Sequence, residues 1–289
     1  MPWALVALGL IVVSSNRQTE KRKVRLDIRS TVLLALGIGC LQMGFLGSNV
    51  DFRFLIPGIG LLVLFIMIQL KLDDPVFNPR FFRRPAYLAA GCTTALANFT
   101  MYAMLFQLPI FFHDIRAVSE LEIVGALTAM TLCMMLGGPL SGVAGRYIGI
   151  RYTAVVAACT NLFGLYLFSD LASALVPGDI IVAMALMSFA GGMAGPVVQS
   201  AGMLAIEKEN AGMAAGGLST MRYFGGAIGI LVLSLQLNSS GVTTIDQHLS
   251  IIPFYAVSLT LVLLVAFLLP VSFKTQRKQI RRNNNRSNL

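Results

Sequence analysis

Charged residues are scarce in this sequence: only 12% of its 289 residues are Asp, Glu, Lys or Arg, against roughly 25% in typical soluble domains. Hydrophobic residues make up 56% of the chain, and the mean hydropathy is +0.76. A soluble protein of this composition lacks the polar groups to cover its surface. The composition therefore excludes a cytosolic enzyme, a disulfide-stapled secreted module and a disordered tail, and it indicates an integral membrane protein.

Residues that bind metals or catalyse reactions are also few. The two histidines, His113 and His248, lie at the ends of apolar segments, and we expect both on the solvated surface. The sequence has no Walker loop, GxSxG or HExxH motif, so we expect no enzyme activity, catalytic residue, metal site or cofactor. The four cysteines lie in apolar runs without CxxC spacing, as core side chains do: Cys40, Cys92, Cys133 and Cys159.

Long apolar runs are abundant, and a transmembrane helix needs about 20 such residues. The sequence predicts an all-α integral membrane protein with eight full transmembrane helices plus a short N-terminal apolar segment, Pro2 to Ser14. This segment lacks the cationic start of a signal peptide and is interpreted as the end of a truncated helix. The predicted spans are Thr31 to Ser48, Phe54 to Leu70, Tyr87 to Phe112, Ile123 to Ala144, Thr153 to Phe168, Ile180 to Ile206, Met213 to Leu237 and Ile251 to Phe273.

Positive charge is distributed unevenly among the connectors between these spans. Taken together, alternate connectors are rich in Lys and Arg, whereas the connectors between them carry only Arg53 and Arg116. By the positive-inside rule, the cation-rich connectors and the C-terminus are cytoplasmic, which predicts a multi-pass protein of the plasma (inner) membrane. Most of the 22 Lys and Arg residues lie on alternate connectors, at residues 16–30, 71–86, 146–151, 208 and 274–289. The basic tail at 274–289 favours contact with anionic lipid over binding to nucleic acid.

Ionisable residues are almost absent from the middle of the spans, where such residues are usually functional. Arg222 is the exception, and it either extends to the membrane surface or faces a polar interior. Gly and Ala are dense in the later spans, which indicates close helix packing and also fits kinks. Other interior candidates are Gln42, Gln107, Asn161 and Gln236. The predicted substrate-cavity residues are Asn98, Tyr102 and Phe106, which form one stripe at four-residue spacing, together with Gln199 and Arg222.

Three motifs give the chain a family resemblance. Residues 74–88, DPVFNPRFFRRPAYL, resemble the cytoplasmic lead-in to a late helix of fourteen-helix drug:proton antiporters of the EmrB/QacA type, in the major facilitator superfamily. Residues 142–151, GVAGRYIGIR, resemble the superfamily turn G-x-x-x-D-R-x-G-x-R, with matches at Gly142, Gly149 and Arg151. Residues 211–229 resemble a glycine-rich helix start of these antiporters, and they place Arg222 among the glycines as the family pattern does. The turn departs from the pattern because Arg146 stands at its acidic position and Tyr147 at the next, basic one.

The resemblance implies a division of the chain. Residues 1–15 correspond to the end of a truncated helix and 16–30 to a basic cytoplasmic loop. Residues 31–86 correspond to two helices between the halves of the transporter and a cytoplasmic loop. Residues 87–273 correspond to the six-helix C-terminal half, and 274–289 form the basic tail. The six N-terminal helices, which carry the proton-coupling residues in the family, have no counterpart here.

The resemblance implies transmembrane transport of the multidrug-efflux type, coupled to protons in the family. We expect a truncated or split second half that moves small amphipathic or cationic molecules only with a complement. That complement is a separate N-terminal six-helix half or a second copy of the chain. The alternative is a non-transporting membrane protein fragment or assembly partner, and the altered turn motivates it. An ion channel is disfavoured because no span shows a selectivity-filter loop or a charged ring.

Overall fold

A computed structural model describes residues 28–44, 51–72, 79–112, 119–174, 177–207, 210–237 and 245–271, and regular structure within these ranges is helical. Several sequence predictions lie outside the described residues, namely the short apolar segment, the basic tail, His113, Arg116, Lys208 and the side chain of Gln42. The helices are α1 (Ile28–Gly44), α2 (Phe52–Lys71), α3 (Pro85–Ile110), α4 (Glu120–Tyr147), α5 (Ile150–Ala174), α6 (Pro177–Leu204), α7 (Ala211–Leu237), α8 (Ile245–Ser250) and α9 (Ile252–Ala266).

Seven helical stretches in the described ranges are long and apolar enough to cross a membrane. They are α2, α3, α4, the apolar part of α5, most of α6, α7 and the stretch His248–Ala266, which joins the end of α8 to α9. The remaining predicted span corresponds to α1, whose 17 described residues contain a shorter apolar stretch, Val32–Leu41. The structure therefore supports a multi-pass membrane protein, with seven spans of sufficient length among the described residues.

Helix ends follow local chemistry more than hydropathy. The helix α4 begins three residues before the predicted Ile123, because Ser119 and Glu122 form a capping box in which the Ser119 hydroxyl donates to the Glu122 carboxylate at 2.7 Å. Conversely, α9 ends at Ala266, so the prediction of a span continuing to Phe273 is wrong. Pro270 has no backbone N–H and disfavours helical geometry at Leu269, and the chain makes tight turns from Phe267 onward.

The helices from α3 to α9 form one bundle with a repeated packing pattern. The principal pairs are α3 with α7 and α4 with α6, while α5 packs on α6 and α9 packs on α3. Exchanging α3 with α6, α4 with α7 and α5 with α9 converts each of these pairs into another observed pair. The bundle is therefore built from two three-helix units in equivalent positions. The hairpin α1–α2 packs mainly on itself and meets the bundle at the short 3-10 turn Pro79–Arg83.

The buried core is divided between the two ends of the bundle. One cluster joins the starts of α3, α5 and α7 to the ends of α6 and α9, through residues such as Tyr87, Ile150, Ala205, Leu218 and Leu269. The other cluster joins the opposite helix ends, through residues that include Phe111, Phe168, Ile180, Leu233 and Tyr255. We call the first the basic end, because the connectors beside it carry Arg80, Arg83, Arg84, Arg146 and Arg151. We call the second the opposite end.

Candidate functional site

The three members of the predicted stripe on α3 have different environments. Asn98 is partly buried, and its side-chain amide donates to the carbonyl oxygen of Thr94, one turn earlier, at 2.8 Å. The ring of Tyr102 lies against Gly226 of α7. Phe106 is 51% exposed. The three residues lie on one face of α3, and Tyr102 contacts α7.

Arg222 and Gln199 are joined directly. The guanidinium of Arg222 on α7 donates through Nη2 to Oε1 of Gln199 on α6 at 2.9 Å, and both side chains are partly buried. The ring of Tyr102 packs on Gly226, which is one helical turn beyond Arg222 on the same face of α7. Of the predicted cavity residues, the structure therefore joins Gln199 to Arg222 and places the contact of Tyr102 one helical turn further along α7.

Glycines allow α7 to come close enough to α3 for this arrangement. A Cβ at Gly225 would meet the carbonyl oxygen of Ala95, and a Cβ at Gly229 would meet that of Phe99. Both glycines are buried. In lipid, such small residues let two helix backbones approach without intervening side chains. The glycine-rich motif at 211–229 thus positions Arg222 relative to α3 and α6.

The residues of the family turn between α4 and α5 differ in their contacts with the rest of the bundle. Gly149 has a φ of +95°, in the left-handed region that favours glycine, and a Cβ there would meet the carbonyl oxygen of Val271. Arg151 donates through Nε to the carbonyl oxygen of Leu269 at 2.8 Å, so it binds the chain just beyond the end of α9. Gly142, by contrast, is exposed and has no atom close to where its Cβ would be. Both residues that depart from the pattern, Arg146 and Tyr147, are exposed.

A second set of contacts at the basic end was not predicted. Arg84, just before α3, forms an ion pair with Glu207 at 2.7 Å and donates to the carbonyl oxygen of Ala205 at 2.8 Å. The hydroxyl of Tyr87 donates to the carbonyl oxygen of Ala214 at 2.9 Å. These bonds fasten the start of α3 to the end of α6 and the start of α7. The sequence marks Arg84 as a cation of the 71–86 connector and as part of the motif at 74–88, but it does not predict a bond to residues more than a hundred positions away.

At the opposite end, the prediction that His248 is solvated is wrong, since it is only 2% exposed. The side-chain amide of Gln107 donates to the carbonyl oxygen of His248 at 3.0 Å, and the Tyr255 hydroxyl donates to Gln107 Oε1 at 2.9 Å. The ring of Phe111 meets the imidazole edge to face, with centroids 5.2 Å apart. Hydropathy placed His248 at a segment end correctly, but packing of α3 and α9 around that end buries it. The interior position predicted for Gln107 agrees with its burial.

Comparison with known proteins decides the family. The family model of the Major Facilitator Superfamily matches residues 28–230. The chain belongs to the major facilitator superfamily. Membership of this family of transporters also confirms that the chain is not an enzyme. It confirms the coarser part of the sequence-based prediction, a transporter-family membrane protein made of helices.

Individual relatives within the superfamily are distant. The chain is 24% identical over 263 residues to Multidrug resistance protein Stp of Mycobacterium tuberculosis, covering 86% of this chain and 48% of that protein. It is 25% identical to the MFS-type transporter YcnB of Bacillus subtilis, covering 96% of this chain and 61% of YcnB. It is 23% identical to the cephamycin export protein CmcT of Amycolatopsis lactamdurans, covering 81% of this chain and 50% of CmcT. The chain thus spans about half the length of most curated relatives it matches.

Proposed function

We propose that this superfamily member is the second-half portion of a multidrug-efflux transporter of the fourteen-helix drug:proton antiporter type. It would move small amphipathic or cationic molecules together with a complementary six-helix half. The order of the three motifs along the chain supports the antiporter type. Relatives named for multidrug resistance and for cephamycin export support an export function. Proton coupling follows from the family resemblance and is part of the proposal.

The observation that carries this proposal is the internal repeat of the bundle. Two three-helix units in equivalent positions make up one half of a major facilitator transporter, and in such transporters substrate binds between two halves near the middle of the membrane. The described bundle supplies one wall of such a site. A complementary half supplies the other wall, so that alternating access results from movement of one half against the other. The coverage of about half of most relatives agrees with this division.

The proposal assigns the remaining parts of the chain as well. The hairpin α1–α2 represents the two helices between the halves, which brings the number of full spans to eight. The connectors at the basic end and the C-terminal tail face the cytoplasm of a plasma (inner) membrane, with the tail contacting anionic lipid. The predicted cavity residues belong to the wall that faces the complementary half. Of these, Gln199 and Arg222 are supported by the bond between them, and Tyr102 by its contact one helical turn along α7.

Proteoliposomes test this function. We expect the purified chain alone to give no proton-driven efflux of a cationic dye, and efflux to appear when it is reconstituted with a complementary six-helix half. Co-purification of the two halves is the control for assembly. Dye efflux by the chain alone would show that no complement is needed. Assembled halves that move neither cationic nor neutral nor anionic dyes would contradict the transport function.

The alternative, a non-transporting membrane protein, predicts a different experimental result. It is favoured by Arg146 and Tyr147, which replace the acidic and basic positions of the family turn and are exposed at the basic end. If this turn is decayed, restoring the family residues with Arg146→Asp and Tyr147→Arg should convert an inactive assembled pair of halves into an active one. The DNA directly upstream of Met1 is a second test, because a reading frame encoding about six helices there favours a split transporter.

A further inference from the structure

Among the described residues, Arg222 is the charged side chain that lies farthest inside a predicted span. It lies eleven residues after the first residue of α7, Ala211, or about 17 Å along the helix at a rise of 1.5 Å per residue. Its side chain extends back toward the basic end, as helical side chains lean toward the N-terminus, and reaches Gln199. The guanidinium is therefore held between α6 and α7, inside the span and away from the connectors.

Within the part of the chain that the structure describes, no carboxylate forms an ion pair with Arg222. Neither α3 nor α7 contains an Asp or Glu, and α6 contains one only in its first turn, at the opposite end. Among the described acids at the basic end, Glu207 is already bound by Arg84. The partner of Arg222 is a neutral amide oxygen, which accepts one of the five N–H donors of the guanidinium. A cation within a span is costly unless an opposite charge or further acceptors meet it.

Aromatic side chains lie on the same two helices, α3 and α7, within a few turns of Arg222. The ring of Tyr102 packs on Gly226, one turn from Arg222. Tyr223, the next residue of α7, is 62% exposed, and Phe106 on α3 is also exposed. A forked cationic donor with an aromatic ring one helical turn away matches a molecule that has a planar hydrophobic body and a carboxylate. It would repel a molecule with an ammonium group at the same place.

We infer that Arg222, positioned by Gln199, binds the carboxylate of amphipathic aromatic substrates, so that this wall of the cavity selects anions over cations. This inference rests on the proposed transport function and narrows its substrate class. The guanidinium donates two parallel N–H bonds to the carboxylate, while Gln199 Oε1 keeps the side chain oriented. The aromatic body lies toward Tyr102. Cationic substrates, if exported, use contacts outside this pair.

A matched series of probes tests the charge preference. Pyrenebutyrate, pyrenebutanol and pyrenebutyl-trimethylammonium share an aromatic body and differ in charge. Their binding is measured by fluorescence on the full chain in neutral-lipid nanodiscs, with empty nanodiscs subtracted. We expect the anion to bind most tightly. We also expect Arg222→Gln to weaken anion binding about tenfold, as loss of a charge-assisted bidentate contact predicts, and to leave binding of the neutral alcohol unchanged.

Two variants separate a site from general attraction. Arg146→Gln removes an exposed cation at the basic end and should leave all three affinities unchanged. Gln199→Leu keeps the charge but removes its acceptor, and should weaken anion binding less than Arg222→Gln does. Equal losses in Arg222→Gln and Arg146→Gln would show non-specific attraction and overturn the inference. Tighter binding of the cation by the unaltered chain would also overturn it, as would the absence of any Arg222-dependent binding.

The complementary half provides the last test. If a carboxylate of that half is the true partner of Arg222, Arg222-dependent anion binding should vanish when the halves are assembled, and the inference is then wrong. Failure of the proposed function has a different signature: Arg222-dependent anion binding persists in the assembled halves, and no dye is transported. Transport that prefers cations and does not change with Arg222→Gln would leave the function intact and reject the inference.

Discussion

The two equivalent helix interfaces of the bundle, α4 with α6 and α3 with α7, reach the same closeness by different means. Between α4 and α6, each helix supplies a glycine. A Cβ at Gly137 would meet the carbonyl oxygen of Phe189, and a Cβ at Gly192 would meet that of Met134. Between α3 and α7, the glycines that approach the partner most closely lie on α7, at Gly225, Gly226 and Gly229, while Gly91 of α3 meets only side chains of α7 at ordinary distances. At α4/α6, backbone meets backbone among apolar side chains. At α3/α7, the ring of Tyr102 also packs against a glycine of α7.

This difference shows that an interface built from glycines for close helix packing can also position polar side chains. Both interfaces rely on small residues, since there is no hydrophobic drive between helices in lipid. Only at α3/α7 does the glycine-bearing helix also carry Arg222, which reaches across to Gln199 of α6. Damage to α4/α6 should therefore affect stability alone, whereas damage to α3/α7 should affect stability and the polar group together.

The largest effect on stability is expected from a substitution at the α4/α6 interface, at one of two adjacent glycines. Gly192→Ala should lower the free energy of unfolding by about 1–3 kcal/mol, because the methyl group meets backbone that cannot move aside. Gly191→Ala is the matched control, since its Cβ would point into open space. It should raise stability by about 0.5–1 kcal/mol through helix propensity alone. Thermal unfolding in detergent followed by circular dichroism measures both, and equal effects would contradict the packing described here.

A somewhat smaller loss of stability is expected at a position of the α3/α7 interface where the obstacle to an added methyl group is a side chain. The Cβ of Gly226→Ala would come within 2.7 Å of the Tyr102 ring, so we expect a loss of about 1–2 kcal/mol. The double variant with Tyr102→Ala should recover part of that loss, because the obstacle is a side chain. The same truncation should not rescue Gly225→Ala, whose obstacle is the backbone of Ala95. A double-mutant cycle measures the coupling, and rescue of both glycine variants alike would refute this assignment.

The smallest effect concerns the link between the two interfaces. Arg84 and Glu207 tie α3, from one interface, to the end of α6, from the other, and their side chains are 41% and 38% exposed. An ion pair this exposed contributes little, so Arg84→Gln should cost less than about 1 kcal/mol. Arg83→Gln, at the exposed neighbouring residue, is the control and should cost nothing measurable. The cost at Arg84 should shrink with added salt, and an equal cost at Arg83 would show a general charge effect.

Some of the site follows from sequence pattern, and some does not. Four-residue spacing placed Asn98, Tyr102 and Phe106 on one face of α3, and the scarcity of charge in the spans drew attention to Arg222. The bond from Arg222 to Gln199 spans 23 residues and depends on how α6 and α7 are rotated. His248 was misplaced for the same reason, because its partner Gln107 lies 141 residues away in sequence.

The sequence by itself determined that the chain crosses a membrane many times, roughly where its helices lie and which connectors hold the positive charge. These properties are sums over neighbouring residues, so hydropathy and composition report them directly. The tertiary structure alone decided which of two adjacent glycines packs and which is open, as at Gly191 and Gly192. Adjacent residues of a helix point in directions about 100° apart. Which of the two glycines meets a neighbouring helix therefore depends on the position of that helix, which no local pattern encodes.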